Sequence, residues 1–269
     1  MINITDSELK NSAQNDGDEI LFTTSSGSLK IPHELETYDN STSRLTADVK
    51  VLNMTNQTET SIYMYYGNSE ASNQENASGV WSNGYEAVYH LDEEKAGTGN
   101  NGVYEDSTSN HNDGDDEVSD SGKEGVIYQG QNFDATDDYI DLGFEYVVAD
   151  DTFTISTWFH VDSTQYSTLV DTYDGSFPQV SIQYNEGQTG LDYRLHDGSN
   201  LLKTSAGILQ KDVTYHVTGI RDGADSVLYL NGKEKDSNSK ASLASDLTGS
   251  GNLRAGRRPD GTGPMDGFM

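Results

Sequence analysis

The chain contains no cysteine and only 4 prolines, and it sets 16 Lys plus Arg against 45 Asp plus Glu, a net charge of −29. Without cysteine, disulfides and thiolate metal sites are excluded, so the fold rests on its core and on any metal bound by oxygen or nitrogen. No apolar run approaches the roughly 18 residues of a membrane span, so the chain is not read as membrane-spanning. No charged-then-apolar leader opens it, and a signal peptide is read as absent from this chain. The basic stripe that phosphate binding needs is missing, which argues against a nucleic-acid partner.

The acid excess is distributed. Residues 1–79 carry 12 acids and 4 bases (−8), leaving 33 acids and 12 bases (−21) for residues 80–269. Spread acidity with few lysines reads as adaptation to molar salt. There the Debye length is about 3 Å and carboxylates mainly hold water and cations. Mean hydropathy is −0.71, yet the apolar residues cluster in short alternating runs, so the chain folds beneath a polar exterior. Five N-x-[ST] sequons, at Asn3, Asn40, Asn53, Asn56 and Asn76, all fall in the first 79 of 269 residues. They point to an exported, glycosylated protein.

Periodicity is β throughout. Leu45–Val51 and Ser61–Tyr66 alternate, and FTISTWFHV (Phe153–Val161) is the clearest strand. Further strands follow at Pro178–Asn185, Gly190–Asp197, Thr214–Gly223 and Ser226–Lys235, the last with Asn231-Gly232 as a hairpin turn. No amphipathic helix of ordinary length is found. Many short strands with Gly, Asn and Asp turns indicate an all-β protein of sandwiches or jelly rolls. The polar stretch SEASNQENASG separates two units, giving a small β-domain over 1–68, a linker over 69–79 and a large β-sandwich over 80–269.

AQNDGDEILFTTSSGSLKIPHELETYD (Ala13–Asp39) and IYMYYGN (Ile62–Asn68) resemble a small β-domain of unknown function found in microbial surface proteins. The second half resembles a laminin-G-like, concanavalin-A-like jelly roll. It does so through AVYHLDE (Ala87–Glu93), DSTSNHNDG (Asp106–Gly114), GQNFDATDDYIDLG (Gly130–Gly143), FTISTWFHV, YHVTGIRDG, LYLNGK and LRAG (Leu253–Gly256), in the family's order. The family usually continues past Asp266-Gly267-Phe268-Met269 with an acidic pair and a closing strand. The jelly roll is therefore expected to lack its last strand, as a segment of a longer polypeptide or a chain completed by a neighbour.

Hydrolases of this fold present E-x-D-x-E along one strand, and no such spacing occurs. Glu34, Glu36 and Asp48 lie in the first domain, and alternation puts Asp138 and Asp141 on opposite faces, so a non-catalytic chain is expected. His160 and His216 fall within strands and read as packing or face residues. The resemblance implies a structural Ca²⁺ in the loop after AVYHLD, with Asp106, Asp92, Asn110 and Asp113 as ligands, oxygen donors of the type calcium takes. Asp92 to Asp120 nonetheless holds ten acids and one lysine, as a solvated loop would. Tyr166, Tyr173, Tyr184 and Tyr193 are weighed as sugar platforms against core packing. The expected role is recognition of a cell-surface glycan or glycoprotein, on an adhesin or a viral tail fibre. The alternatives are a structural coat packed against neighbouring copies and, more remotely, a glycoside hydrolase. A chain adapted to molar salt will melt at a higher temperature in roughly 2 M KCl than in dilute buffer. A flat or falling salt profile sinks that reading.

Overall fold

A computed structural model describes residues 1–269 except 53, 55, 57–58, 94–98, 146–151, 164, 178, 186–189, 245–246 and 248–251. Of the sequons, Asn53 therefore lies outside the described residues. Two compact units result: Met1–His90 with Asp106–His111, and Leu91–Glu105 with Asn112–Met269. Both are β structures, as the alternation predicts. Among the described residues no helix is long and apolar enough to cross a membrane.

The first unit contains β1 (Ile2–Thr5), α1 (Ser7–Ser12), β2 (Leu21–Thr24), β3 (Lys30–Ile31), β4 (His33–Asp39), β5 (Arg44–Val49), β6 (Ile62–Tyr65) and α2 (Ala77–Val80). Two three-stranded sheets, β1-β5-β4 and β3-β2-β6, close on Leu9, Ile20, Phe22, Ile31, Leu45 and Ala47, all fully buried or nearly so. The unit runs on past the boundary expected near residue 79, and the expected linker is held to it. Gln74 N–H donates to the Asp18 carbonyl and Asn76 N–H to the His33 carbonyl, while Leu35 N–H donates to the Glu75 carboxylate at 2.7 Å.

Further along, His90 is fixed between two glutamates of β4. Its Nε2 lies 3.2 Å from Glu34 Oε2 and its Nδ1 2.9 Å from Glu36 Oε1. The Trp81 indole N–H and the Ser107 hydroxyl both donate to Glu34, so residues 81–90 and 106–111 converge on one carboxylate. Burial alone would lower the His90 pKa. The two carboxylates against its ring outweigh that and push it up to about 10.

The second unit begins with β7 (Asn100–Tyr104), β8 (Gly114–Glu117), β9 (Asp120–Glu124), β10 (Gln129–Asp134), β11 (Tyr139–Glu145), β12 (Thr152–Val161) and β13 (Ser167–Asp171). It continues with β14 (Gln179–Asn185), β15 (Gly190–His196), β16 (Leu201–Gly207), β17 (Thr214–Asp222), β18 (Asp225–Leu230), β19 (Lys233–Ser239), β20 (Asn252–Ala255) and β21 (Asp266–Phe268). A seven-stranded sheet, β19-β18-β17-β12-β21-β10-β9, packs on an eight-stranded one, β16-β15-β14-β13-β20-β11-β8-β7. The hairpin at Asn231-Gly232 forms as expected, both residues at positive φ (51° and 71°), the backbone of a two-residue I′ turn. The chain's last residues form a strand of their own, β21, inserted between β10 and β12 and antiparallel to both.

The sheets meet through apolar side chains of alternate residues: Val180, Ile182, Tyr184, Leu191, Tyr193 and Leu195 from one, Phe159, Tyr215, Val217 and Leu228 from the other. Gly219 of β17 makes room for the buried Tyr193 ring, because a Cβ there would stand 2.8 Å from Tyr193 Cδ2.

Two outcomes follow. Gly219→Ala, which forces that ring to move, will cost about 1–3 kcal/mol in urea unfolding; an unchanged midpoint contradicts the packing. Because folding raises the His90 pKa from 6.5 to about 10, its stabilisation is complete below the lower value and lost as pH rises towards the upper. His90→Gln will therefore destabilise the first unit by on the order of 3 kcal/mol at pH 6 and flatten its melting profile between neutral pH and pH 10. Equal slopes for the two proteins would refute the role given to His90.

Candidate functional site

Strand alternation that turns apolar side chains to one face of the eight-stranded sheet turns polar ones to the other, where Asp171, Ser181, Asp192, Gln183 and Thr168 are buried and Lys203, Arg194 and Arg254 half-buried. Register then aligns these polar residues across strands. Lys203 of β16 pairs with Arg194 of β15, Arg194 with Ser181 of β14, and Ser181 with Asp171 of β13. Asp171 pairs with Arg254 of β20, Arg254 with Asp141 of β11, and Asp141 with Asp115 of β8. A continuous row of hydrogen-bonding side chains thus crosses seven strands. A second row, Ser205, Asp192, Gln183 and Thr168, runs beside it.

The charges in these rows neutralise one another. Arg194 Nη2 donates to Asp192 Oδ2 at 2.9 Å, with Lys203 Nζ at 3.5 Å from the same oxygen. Arg254 Nε donates to Asp141 Oδ2 at 3.2 Å. Asp171 is fully buried; it accepts from Tyr173 N–H at 2.7 Å and from Gln179 Nε2 at 2.9 and 3.0 Å, and Arg258 Nε lies 3.5 Å away. Desolvation nevertheless dominates, pushing the Asp171 pKa up to about 7. Gln183 accepts from the Tyr166 hydroxyl and donates to Ser181 Oγ at 2.8 Å.

Aromatic rings stand at one end. Phe177, 45% exposed, stacks on His196 of β15 at 4.0 Å between centroids and meets Tyr173 at 5.0 Å. The Arg258 guanidinium covers Tyr173 at 4.4 Å. Stacking surfaces beside fixed donors and acceptors are what a sugar needs, one for its C–H face and the other for its hydroxyls.

The scan against family models matches residues 134–269 to the concanavalin A-like lectin/glucanases superfamily. The chain belongs to that superfamily. A second family model, a domain of unknown function, matches residues 16–105, and no curated protein matches. Among solved structures, domains LG4-5 of the mouse laminin alpha1 chain are 10% identical at a TM-score of 0.39, covering 54% of this chain and 40% of that one. The chain thus spans less than half of the laminin structure. Domain 4 of AbnA, a GH43 extracellular arabinanase from Geobacillus stearothermophilus solved with arabinotriose, is 17% identical at a TM-score of 0.48, covering 61% and 82%. The CBM40 of the Ruminococcus gnavus IT-sialidase, bound to α2,3-sialyllactose, is 18% identical at 0.39, covering 45% and 74%.

The residues singled out by sequence fall in several places. Tyr184 and Tyr193 are wholly buried core residues, whereas Tyr166 and Tyr173 border the polar face. Asp106 and Asn110 belong to the first unit, Asp92 and Asp113 to the second. The Asp106 carboxylate accepts from Val88 N–H at 3.0 Å, Thr108 N–H at 3.0 Å and Thr108 Oγ1 at 2.8 Å, and so fastens its own loop. Asn110 Nδ2 donates to the Glu86 carbonyl at 2.9 Å. Asn3, Asn56 and Asn76 are exposed and Asn40 is half-buried; the side chain of Asn76 caps α2 by accepting from Gly79 N–H. Sequence reasoning missed Asp171, Gln179, Gln183, Asp192, Arg194 and Arg258. The polar alternation of SIQYN and GLDYRLH was visible, but only strand register places those residues side by side.

Proposed function

We propose that the second unit is a non-catalytic glycan-recognition module, binding through the polar face of its eight-stranded sheet. The cross-strand row from Lys203 to Asp115 carries this reading, with the Tyr173, Phe177 and His196 rings at its end. Membership of a lectin/glucanase superfamily supports it. A glycosidase needs two carboxyls that touch the scissile bond. Here Asp171 and Asp192 are fully buried and tied to arginines, and Gln183, Ser181 and Thr168 are buried beside them, so these shape the face and leave contact with sugar to the half-buried Arg194, Lys203, Ser205 and Arg258 and to the rings.

The ligand class is a cell-surface glycan or glycoprotein, met outside the cell or virion that carries the chain, on an adhesin or a tail fibre. Sequons exposed on the first unit support an exported setting. Calcium in the Asp106 loop rests on the family resemblance, since three donors already occupy that carboxylate.

A glycan array in roughly 2 M KCl will give reproducible hits. Phe177→Ala and Tyr173→Ala will weaken them by about tenfold without moving the melting temperature, because Phe177 is largely exposed and Tyr173 half-buried. No hits, or equal binding by both variants, transfers the role to a structural fibre or coat. Hydrolysis of an array sugar that is lost in Asp171→Asn would make the chain an enzyme.

A further inference from the structure

On the seven-stranded sheet of the second unit, the face turned from the core carries a different group. His160 of β12 pairs with Thr214 of β17 on one side and Phe268 of β21 on the other. Phe268 stacks on the imidazole, with centroids 4.7 Å apart and planes 8° from parallel. His160 Nδ1 lies 2.9 Å from Thr214 Oγ1. The ring is thus oriented by stacking and by a hydrogen bond at one nitrogen. Its other nitrogen, Nε2, faces Asp162 Oδ1 at 3.2 Å. Asp212 completes the group: one ligand atom from each of His160, Asp162 and Asp212 lies within 4.8 Å of the other two. Its backbone N–H donates to the Val161 carbonyl at 2.9 Å, which anchors the loop that presents it. His160, Asp162, Thr214 and Phe268 border an open groove of about 420 Å³ lined also by Lys123, Gly125 and Val126.

We propose that His160 Nε2, Asp162 and Asp212 form a binding site for a first-row transition-metal dication, with Zn²⁺ as the natural probe. One imidazole and two carboxylates suit such an ion, whereas calcium takes oxygen alone. Tetrahedral donors about 2.1 Å from zinc stand about 3.4 Å from one another, and the 3.2 Å between His160 Nε2 and Asp162 Oδ1 already matches that separation. In the tautomer that donates Nδ1–H to Thr214 Oγ1, Nε2 beside Asp162 carries the lone pair that a metal takes, as the second shell of histidine metal sites arranges. Three protein ligands beside a groove leave a coordination position open to solvent or to an anionic group. Two cations oppose the metal: Lys211 Nζ, 3.9 Å from Asp212 Oδ1, and Lys123 in the groove wall. Lys211 is exposed and long, and can swing clear.

The test is calorimetric titration of the metal-stripped full chain with ZnCl₂ at high salt. One ion per chain is expected. His160→Gln, Asp162→Asn and Asp212→Asn should each weaken binding tenfold or more, and Thr214→Val, a positioning change, by about tenfold. His216→Gln, on the same sheet face outside the group, should leave affinity unchanged. Asp212 is exposed and at a positive φ that asparagine tolerates, so its variant reports on metal even where His160→Gln perturbs folding. Absence of zinc binding, or equal affinity in Asp212→Asn and the parent, overturns the proposal and leaves His160 and Asp162 an ordinary ion pair.

Discussion

Every carboxylate this chain buries has to be neutralised, and 16 lysines and arginines face 45 acids. That scarcity organises the structure. On the polar face of the eight-stranded sheet cations sit on the carboxylates: Arg194 and Lys203 on Asp192, Arg254 on Asp141, Arg258 on Asp171. Elsewhere the backbone and hydroxyls stand in. Asp138 takes N–H groups from Ser119 and Asp134, Asp116 takes Val118 N–H and the Tyr104 hydroxyl, and Asp106 its own loop. In the first unit a single histidine serves two glutamates. A buried carboxylate without such a partner costs several kcal/mol, so the surviving pairs mark the positions where the fold tolerates a charge inside.

The same constraint makes the polar face of the eight-stranded sheet. Strand alternation supplies two faces, and the core takes one. Residues on the other would be a plain solvated surface if they were single charges. Instead, Arg254 reaches Asp141 at the paired position of the adjacent strand, where opposite charges reinforce the ladder, and Arg194 reaches Asp192 two residues along its own strand. The result is an array whose groups hold one another in place, and for the binding proposed, fixed groups lose less entropy.

Much of the fold was legible in sequence because it is local. FTISTWFHV alternates and forms β12; Asn231-Gly232 demands positive φ and turns the chain. Jelly-roll pieces occur in order, and the family follows from them. What could not be read is whatever depends on register or on distant segments meeting. His90 follows AVY like a strand residue, and nothing near it signals Glu34 and Glu36, more than fifty residues back. Asp171 and Arg194 look like ordinary polar alternates until β13, β14 and β15 pair. In an acidic chain the cluster around Asp106 drew attention by density, which is weak information where acids are everywhere. The informative residues are the arginines, because they are few.

Scarce cations also bear on the glycan recognition proposed for this chain. In the molar salt to which we propose the chain is adapted, the Debye length is about 3 Å, so long-range steering by charge is lost and only groups in contact still interact. A net −29 surface that would repel anionic glycans in dilute buffer then imposes little penalty. Affinity must come from stacking, from short hydrogen bonds and from charges already shielded by protein. The polar sheet face has that make-up: its carboxylates Asp171 and Asp192 are buried beneath half-buried arginines, and its rings lie at one rim. A lectin-like surface that relied on exposed lysines would lose their attraction under these conditions, and among the described residues the lysine of this face, Lys203, is half-buried.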